Sequence, residues 1–203
     1  MSQNNTSPNA SDKAKAEEGE LPHPIVVASQ MALEGFLKVR NDRLRYAHGY
    51  HYNYFTLIPP HAYAVVILAE TQDGHFVLNE EYRHPTSRVL LGCPGGFLSE
   101  DENPLDGAAR ELCEETGYTA KNFKVMGQAY PFPGVCGQSI FYVHAWPATK
   151  MQAPQLEPSE ILRTVLKTRL EIQQDMLSKK DIDSVLCTAL YYHSLMENGL
   201  EGR

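Results

Sequence analysis

Long apolar runs are missing from this chain of 203 residues. No stretch approaches the roughly 20 consecutive apolar residues that a bilayer span needs. The first residues show no basic-then-apolar pattern of an export signal. Paired cysteines are missing as well. Cys93, Cys113, Cys136 and Cys187 form no CxxC pair and stand 20 or more residues apart, a spacing that argues against a zinc site. These absences predict free thiols in a reducing, cytoplasmic compartment and no membrane partner. Clustered basic residues are absent too, and the net charge is -7. Broad binding to a phosphate backbone needs such clusters, so no nucleic-acid partner is expected.

A hydrophobic fraction of 42% and a charged fraction of 21% are those of a globular protein long enough to bury a substantial core. Residues 1–20, MSQNNTSPNASDKAKAEEGE, carry no aromatic and no β-branched apolar side chain, which predicts a disordered tail. No linker or internal repeat divides the remainder, so 21–203 is read as one domain, with 21–60 supplying N-terminal strands. FLKVRNDRLRY, Phe36 to Tyr46, reads as two short strands about an Asn41-Asp42 turn, and HYNYFTLI alternates like a strand. AYAVVILAE is β-branched and nearly continuous, as in a strand covered on both faces. The Asp73-Gly74 pair then closes a hairpin onto HFVLNEEY. RVLLGCPGGF predicts a strand broken by Pro94, Gly95 and Gly96. NFKVMGQAY and QSIFYVHAW are two further strands. Two helices are expected at the end of the chain, within Thr168–Ser178 and over about Asp181–Met196, where Ile182, Leu186, Ala189, Leu190 and His193 recur at helical spacing.

One helix is delimited sharply: Asn103 as N-cap, Pro104 at the first helical position and Gly117 as the stop. It contains RELCEETGY. Each residue advances about 100° on a helix, so Glu111, Glu114 and Glu115 share one face while Leu105, Ala109, Leu112 and Thr116 share another. Like charges so placed cost a few tenths of a kcal/mol per pair, and the C-terminal half of a helix disfavours anions. A solvated acidic face offset by Arg110 accounts for that pattern; so does an oxygen-ligand site for Mg²⁺ or Mn²⁺.

The surrounding spacing separates the two. Gly96, five residues, Glu102, seven residues, then Arg110-Glu111-Leu112-x-Glu114-Glu115-x-Gly117-Tyr118 resembles the Nudix hydrolase box, GX5EX7REUXEEXGU, departing only at Tyr118. The resemblance implies an α/β fold, the Nudix α/β/α sandwich with a mixed central sheet and an added N-terminal antiparallel sheet. It implies Glu111, Glu114, Glu115 and the Gly95 carbonyl as metal ligands, with Glu102 and Arg110 bracing loop and helix. The cofactor implied is Mg²⁺, with Mn²⁺ as the substitute.

Flanking segments resemble the ADP-ribose and nucleoside diphosphate sugar pyrophosphatase branch. Glu81-Tyr82-Arg83 fills its Q/E-Y-R place, which implies Arg83 near phosphate or the distal group. PFPGVCGQ resembles its loop after the box, with Phe132 for the usual serine and Gln138 for the usual acid; Gly92 stands where that branch often has glutamate. The branch's general base lies on a later loop, where Glu160 is the first candidate and Glu157 the second. Of the aromatics in YHYNYFTLI, Tyr52 and Tyr54 are candidates to stack on a nucleobase, against the reading of half core and half surface. In this branch the N-terminal strands commonly help to form a homodimer. His84 and His144 are read as structural.

The expected reaction is hydrolysis of a small nucleotide substrate, a nucleoside diphosphate sugar with ADP-ribose first, to a nucleoside monophosphate and a sugar phosphate. Two alternatives stand beside it. One is an enzyme of the same fold acting on nucleoside triphosphates or capped RNA. The other is a non-catalytic nucleotide-sugar sensor.

Overall fold

A computed structural model describes residues 21–178 and 180–200. The expected disordered tail at 1–20 lies outside the described residues. The chain falls into two compact units, one up to Ile58 and one from Pro59 onward.

The first unit is an antiparallel sheet of β1 (Ile25–Leu33), β2 (Lys38–Arg45) and β3 (His51–Ile58), in that order. The hairpin expected at Asn41-Asp42 does not form. Lys38 to Arg45 runs as one strand, with Asn41 paired to Phe55 and Asp42 to Tyr54. Asp42 is buried there because it is satisfied in place: Ser29 Oγ donates to it at 2.6 Å and Arg40 Nε at 2.8 Å. A turn-forming pair is thus absorbed into a strand when a side-chain partner meets its carboxylate.

The second unit is built on a mixed sheet. Its strands are β4 (Tyr63–Thr71), β5 (His75–Arg83), β6 (Arg88–Gly92), β7 (Gly95–Phe97), β8 (Tyr118–Ala129), β9 (Ser139–Lys150) and β10 (Leu162–Thr168). The main order is β10-β5-β4-β9-β8, with β6 beside β5 and β7 beside β4. β4 and β9 run parallel, from Tyr63 opposite Ser139 to Ala69 opposite Ala145. β10 was not anticipated from QLEPSEILRT. Its alternation is short, and it becomes a strand by pairing Leu162–Thr168 with Glu81–His75 along the edge of β5.

Alternate residues of the central strands enter two separate cores. Val65, Ile67, Ala69, Val77, Val143 and Ala145 pack with Ala108 and Leu112 of helix α1 (Pro104–Thr116). Val66, Leu68, Phe76, Leu78 and Tyr142 pack with Ile172 of α2 (Arg169–Leu177) and Leu186, Ala189 and Leu190 of α3 (Ser184–Glu197). This is the α/β/α sandwich, and it explains why β4 reads as a continuous apolar run.

The helix boundaries follow from their caps. The Asn103 side chain accepts from Leu105 N at 2.9 Å, and Gly117 ends α1 at φ 69°. Thr168 and Glu171 form a capping box for α2, and the Asp183 carboxylate caps α3. Each such cap contributes about 1 kcal/mol. α3 therefore begins at Ser184, not at Asp181.

Candidate active site

The acidic face of α1 meets the Gly95-Gly96 strand and the middle of β5. Gly95 pairs with Val66 and Gly96 with Val65, and Pro94 O accepts from Ile67 N. A side chain at Gly95 would put a Cβ 2.2 Å from Val65 O. At Gly96 it would stand 2.3 Å from Glu111 Oε1. Both glycines are thus required by close approach: one lets the strand lie against β4, the other leaves room for the Glu111 carboxylate.

Glu115 is the most enclosed of the acids. It is 6% exposed, and its Oε2 accepts from Gly95 N at 3.1 Å and from Asn79 Nδ2 at 2.8 Å. Burial is the largest influence on its carboxyl and drives it up to about 8, with Glu111, Glu160 and Glu81 adding repulsion. Glu111 is also raised, first by burial, although Arg110 opposes this; Glu114 and Glu160 push it further up. Glu114 is more open, with 47% of its side chain exposed.

Arg110 holds the arrangement together. Nε and Nη2 donate to Glu102 at 3.0 and 3.1 Å, Nη1 donates to Glu111 at 2.8 Å and Glu114 at 3.1 Å, and Nη2 reaches Phe97 O at 3.2 Å. Glu102 in turn accepts from Ser99 N at 2.9 Å, so the pair ties the loop before α1 to the helix. The Arg110 hydrogen bond holds the Glu102 carboxyl below its ordinary range. One guanidinium cannot neutralise four gathered carboxylates, and their repulsion adds to the burial that raises Glu111 and Glu115.

Glu160 belongs to this gathering and Glu157 does not. Repulsion from Glu160 reaches Glu81, Glu111 and Glu115. Its own Oε2 accepts from Glu157 N at 2.8 Å, which fixes the loop around it. Glu157 is exposed and contributes to none of these three.

Asn79 was passed over in the sequence, and Glu81 was named only within Glu81-Tyr82-Arg83, with no role of its own. HFVLNEEY alternates, so both point to the face of Val77, toward α1; that alternation was the available signal. Asn79 is 2% exposed, and its Oδ1 has no hydrogen-bond partner among the described residues. The Glu81 carboxyl is raised by burial, and Oε1 holds Arg83 Nη1 at 2.7 Å. Arg83 thus reaches the site's edge through Glu81.

The other candidates of the second unit are not gathered with the acids. Gln138 donates through Nε2 to His61 O at 2.9 Å, and the His61 ring lies 5.5 Å from that of Phe97, beside Gly96. Phe132 is 62% exposed in the β8–β9 connection. Tyr52 and Tyr54 stand on β3 of the first unit, with ring centres 6.2 Å apart. Gly92 lies against Asp183, whose Cβ would be 3.5 Å from an added Cβ. A cleft of about 700 Å³ opens on the opposite face of β5 and β10, lined by Glu80, Tyr82, Leu162, Arg163, Asp175 and Lys180 among others, so it is not the acidic site.

The donor set suits a hard divalent cation. It is all oxygen and negatively charged in excess, and Asn79 beside it carries a buried carbonyl oxygen with no partner among the described residues. Glu111, Glu114, Glu115 and the Gly95 carbonyl are the groups that could hold such an ion.

The model of the NUDIX domain matches residues 59–181. An ADP-ribose pyrophosphatase of Bacillus subtilis is 30% identical over 145 residues, 69% of this chain and 76% of that protein. A methanol dehydrogenase activator of Bacillus methanolicus is 31% identical over 138 residues, 68% of this chain and 75% of that protein. A crystal structure described as an ADP compounds hydrolase superposes with a TM-score of 0.77 at 23% identity, covering 90% of this chain and 100% of that one, a likeness of fold. The chain belongs to the Nudix family. It is a hydrolase acting on phosphoanhydride bonds.

Proposed function

We propose that the protein hydrolyses the diphosphate of a nucleoside diphosphate sugar, ADP-ribose being the first candidate, to a nucleoside monophosphate and a sugar phosphate. The observation that carries this reading is the convergence of Glu111, Glu115 and Glu160 beside the Gly95-Gly96 strand, with Arg83 held at its edge by Glu81. The relationship to a protein named ADP-ribose pyrophosphatase supports the choice of substrate.

Mg²⁺, with Mn²⁺ as substitute, supplies charge neutralisation of the diphosphate and polarisation of phosphorus when bound. Glu111, Glu115 and the Gly95 carbonyl would hold it, and Glu114, half exposed and shared with Arg110, would be a further ligand. Asn79 and Gly95 N orient Glu115, and Glu102 and Arg110 keep the helix in register with the glycine strand. Glu160 takes the proton of the attacking water as its oxygen bonds to phosphorus; the bridging oxygen leaves with the other phosphate. Arg83 binds the diphosphate or the distal sugar.

We further assign the working form as a cytoplasmic homodimer. All nine residues of β1 are exposed, among them Val26, Val27, Met31 and Leu33. Such a strand is the surface a second copy would cover. All four cysteines are free, as a reducing compartment requires. No helix among the described residues is long and apolar enough to cross a membrane.

Incubation with Mg²⁺ and a panel of ADP-ribose, other nucleotide sugars, dinucleotides, nucleoside triphosphates and capped RNA tests the reading. Release of AMP from ADP-ribose, or the matching monophosphate from another nucleotide sugar, is expected. Preference for triphosphates or caps would overturn the substrate class, and inertness across the panel would favour the sensor.

A further inference from the structure

On the other face of the sheet stands a second polar cluster that the hydrolytic site does not use. Glu70 is the penultimate residue of β4, His144 lies in β9, and His193 comes from α3. The histidines are 7% and 4% exposed. Glu70 Oε2 lies 3.3 Å from His144 Nε2 and 3.6 Å from His193 Nε2. One ligand atom from each of the three residues fits within 4.8 Å of the other two.

We propose that Glu70, His144 and His193 form a second metal site, separate from the acidic helix, for a transition-metal ion of the zinc class. Bonds of about 2.0–2.1 Å in a tetrahedral shell place neighbouring ligand atoms ~3.3–3.4 Å apart. The two distances from Glu70 Oε2 are close to that edge. Two imidazoles and one carboxylate suit zinc, cobalt or nickel, whereas Mg²⁺ prefers the oxygen-only set on α1. The Glu70 side chain, 30% exposed, gives the route of entry.

Without metal, Glu70 Oε2 is within hydrogen-bond distance of His144 Nε2 at 3.3 Å, while His193 Nε2, at 3.6 Å, stands just beyond it. Arg169 Nη2 is 2.6 Å from His193 Nδ1, so that nitrogen accepts and Nε2 carries the proton toward Glu70. Binding a metal at Nε2 moves the proton to Nδ1. Arg169 must then give up that nitrogen, and Glu197 Oε2, 3.7 Å away and one helical turn on, is the carboxylate that can close in to accept the proton. A carboxylate behind a ligating histidine is the arrangement that orients metal-binding imidazoles. The cysteine spacing argued against zinc; these ligands are 74 and 49 positions apart, which no local spacing in the sequence reveals.

Trp146 is the chain's single tryptophan, and its indole stacks on His144 with centroids 4.7 Å apart and planes at 9°. Co²⁺ bound to His144 therefore quenches the tryptophan, while excess Mg²⁺ keeps the acidic site filled. The expected result is saturable quenching at one Co²⁺ per chain, reversed by Zn²⁺, with the strong visible bands of four-coordinate cobalt. Glu70→Gln, which keeps size and partial exposure, weakens that binding at least about tenfold, and His193→Gln does likewise. Circular dichroism checks that both remain folded. Absence of quenching in the wild-type protein overturns the proposal, as does quenching that Glu70→Gln leaves unchanged. The cluster would then be a hydrogen-bonded brace for α3.

Discussion

The two faces of the central sheet gather polar groups in opposite ways. Toward α1, four carboxylates crowd around one guanidinium, and burial with mutual repulsion drives Glu115 up to about 8. Toward α3, two imidazoles and one carboxylate are enclosed, and burial drives His144 down to about 4. One face holds groups that resist ionising as anions, the other groups that resist ionising as cations. Burial thus favours the neutral form on both faces, a protonated carboxyl on one and a free imidazole on the other. The difference lies in hardness: oxygen alone on one side, nitrogen with oxygen on the other.

The sharpest way to break this comparison is to remove the charge from the most enclosed acid. Glu115→Gln keeps the volume and an acceptor for Gly95 N and Asn79 while deleting the anion. Turnover should fall by several kcal/mol of transition-state stabilisation, about three orders of magnitude, with the fold retained. A variant retaining a tenth of wild-type kcat with Mg²⁺ would remove Glu115 from the machinery.

The same substitution should have the reverse effect on stability when metal is chelated. Folding raises the Glu115 pKa from 4.5 to about 8. The folded state therefore binds the proton more tightly, and stability present below about 4.5 is lost as pH rises toward 8. At pH 8 and in EDTA, Glu115→Gln should be the more stable protein by a few kcal/mol. His144 predicts the opposite slope on the other face: its pKa falls from 6.5 to about 4 on folding, so stability present above 6.5 is lost as pH falls toward 4. Thermal melts of the metal-free protein across that range check both arms. A wild-type curve flat from 4.5 to 8, unchanged by Glu115→Gln, would deny that the acidic face is strained.

Glu160→Gln comes next. A loop base contributes roughly 10²-fold, and loss of turnover with unchanged Mg²⁺ affinity is expected. An unaltered rate would transfer the role to Glu157 or another group.

What the sequence disclosed about these two faces depended on how local each was. Asn103, Pro104 and Gly117 delimited α1 correctly at both ends because caps are local chemistry, and the box spacing named the acids on it. Asn79 was missed and Glu81 given no role of its own, although the hairpin carrying them was read correctly. Their importance comes from which face of β5 meets α1, a property of packing. β10 was invisible because an edge strand is specified by the neighbour it pairs with. Asn41-Asp42 misled for the converse reason: Ser29 and Arg40 satisfy Asp42 inside a strand, and only the folded sheet brings Ser29 there. The α3 cluster, assembled from three distant segments, had no local signature, and His144 passed as structural.

Asn79 gives the smallest and most discriminating effect. Its amide fixes the Glu115 carboxylate at 2.8 Å while its own oxygen stays buried and unpaired, an arrangement that costs stability unless a cation completes it. Asn79→Leu keeps the volume and removes both features. The Mg²⁺ concentration needed for half-maximal rate should rise roughly tenfold, as when a group behind a metal ligand is lost, while kcat at saturating Mg²⁺ changes little. A purely packing role for Asn79 would instead lower thermal stability and leave the Mg²⁺ requirement where it was. The two outcomes separate because Leu repairs the buried polar defect in the metal-free protein but cannot orient a carboxylate, so the variant should be at least as stable in EDTA and still bind Mg²⁺ less well.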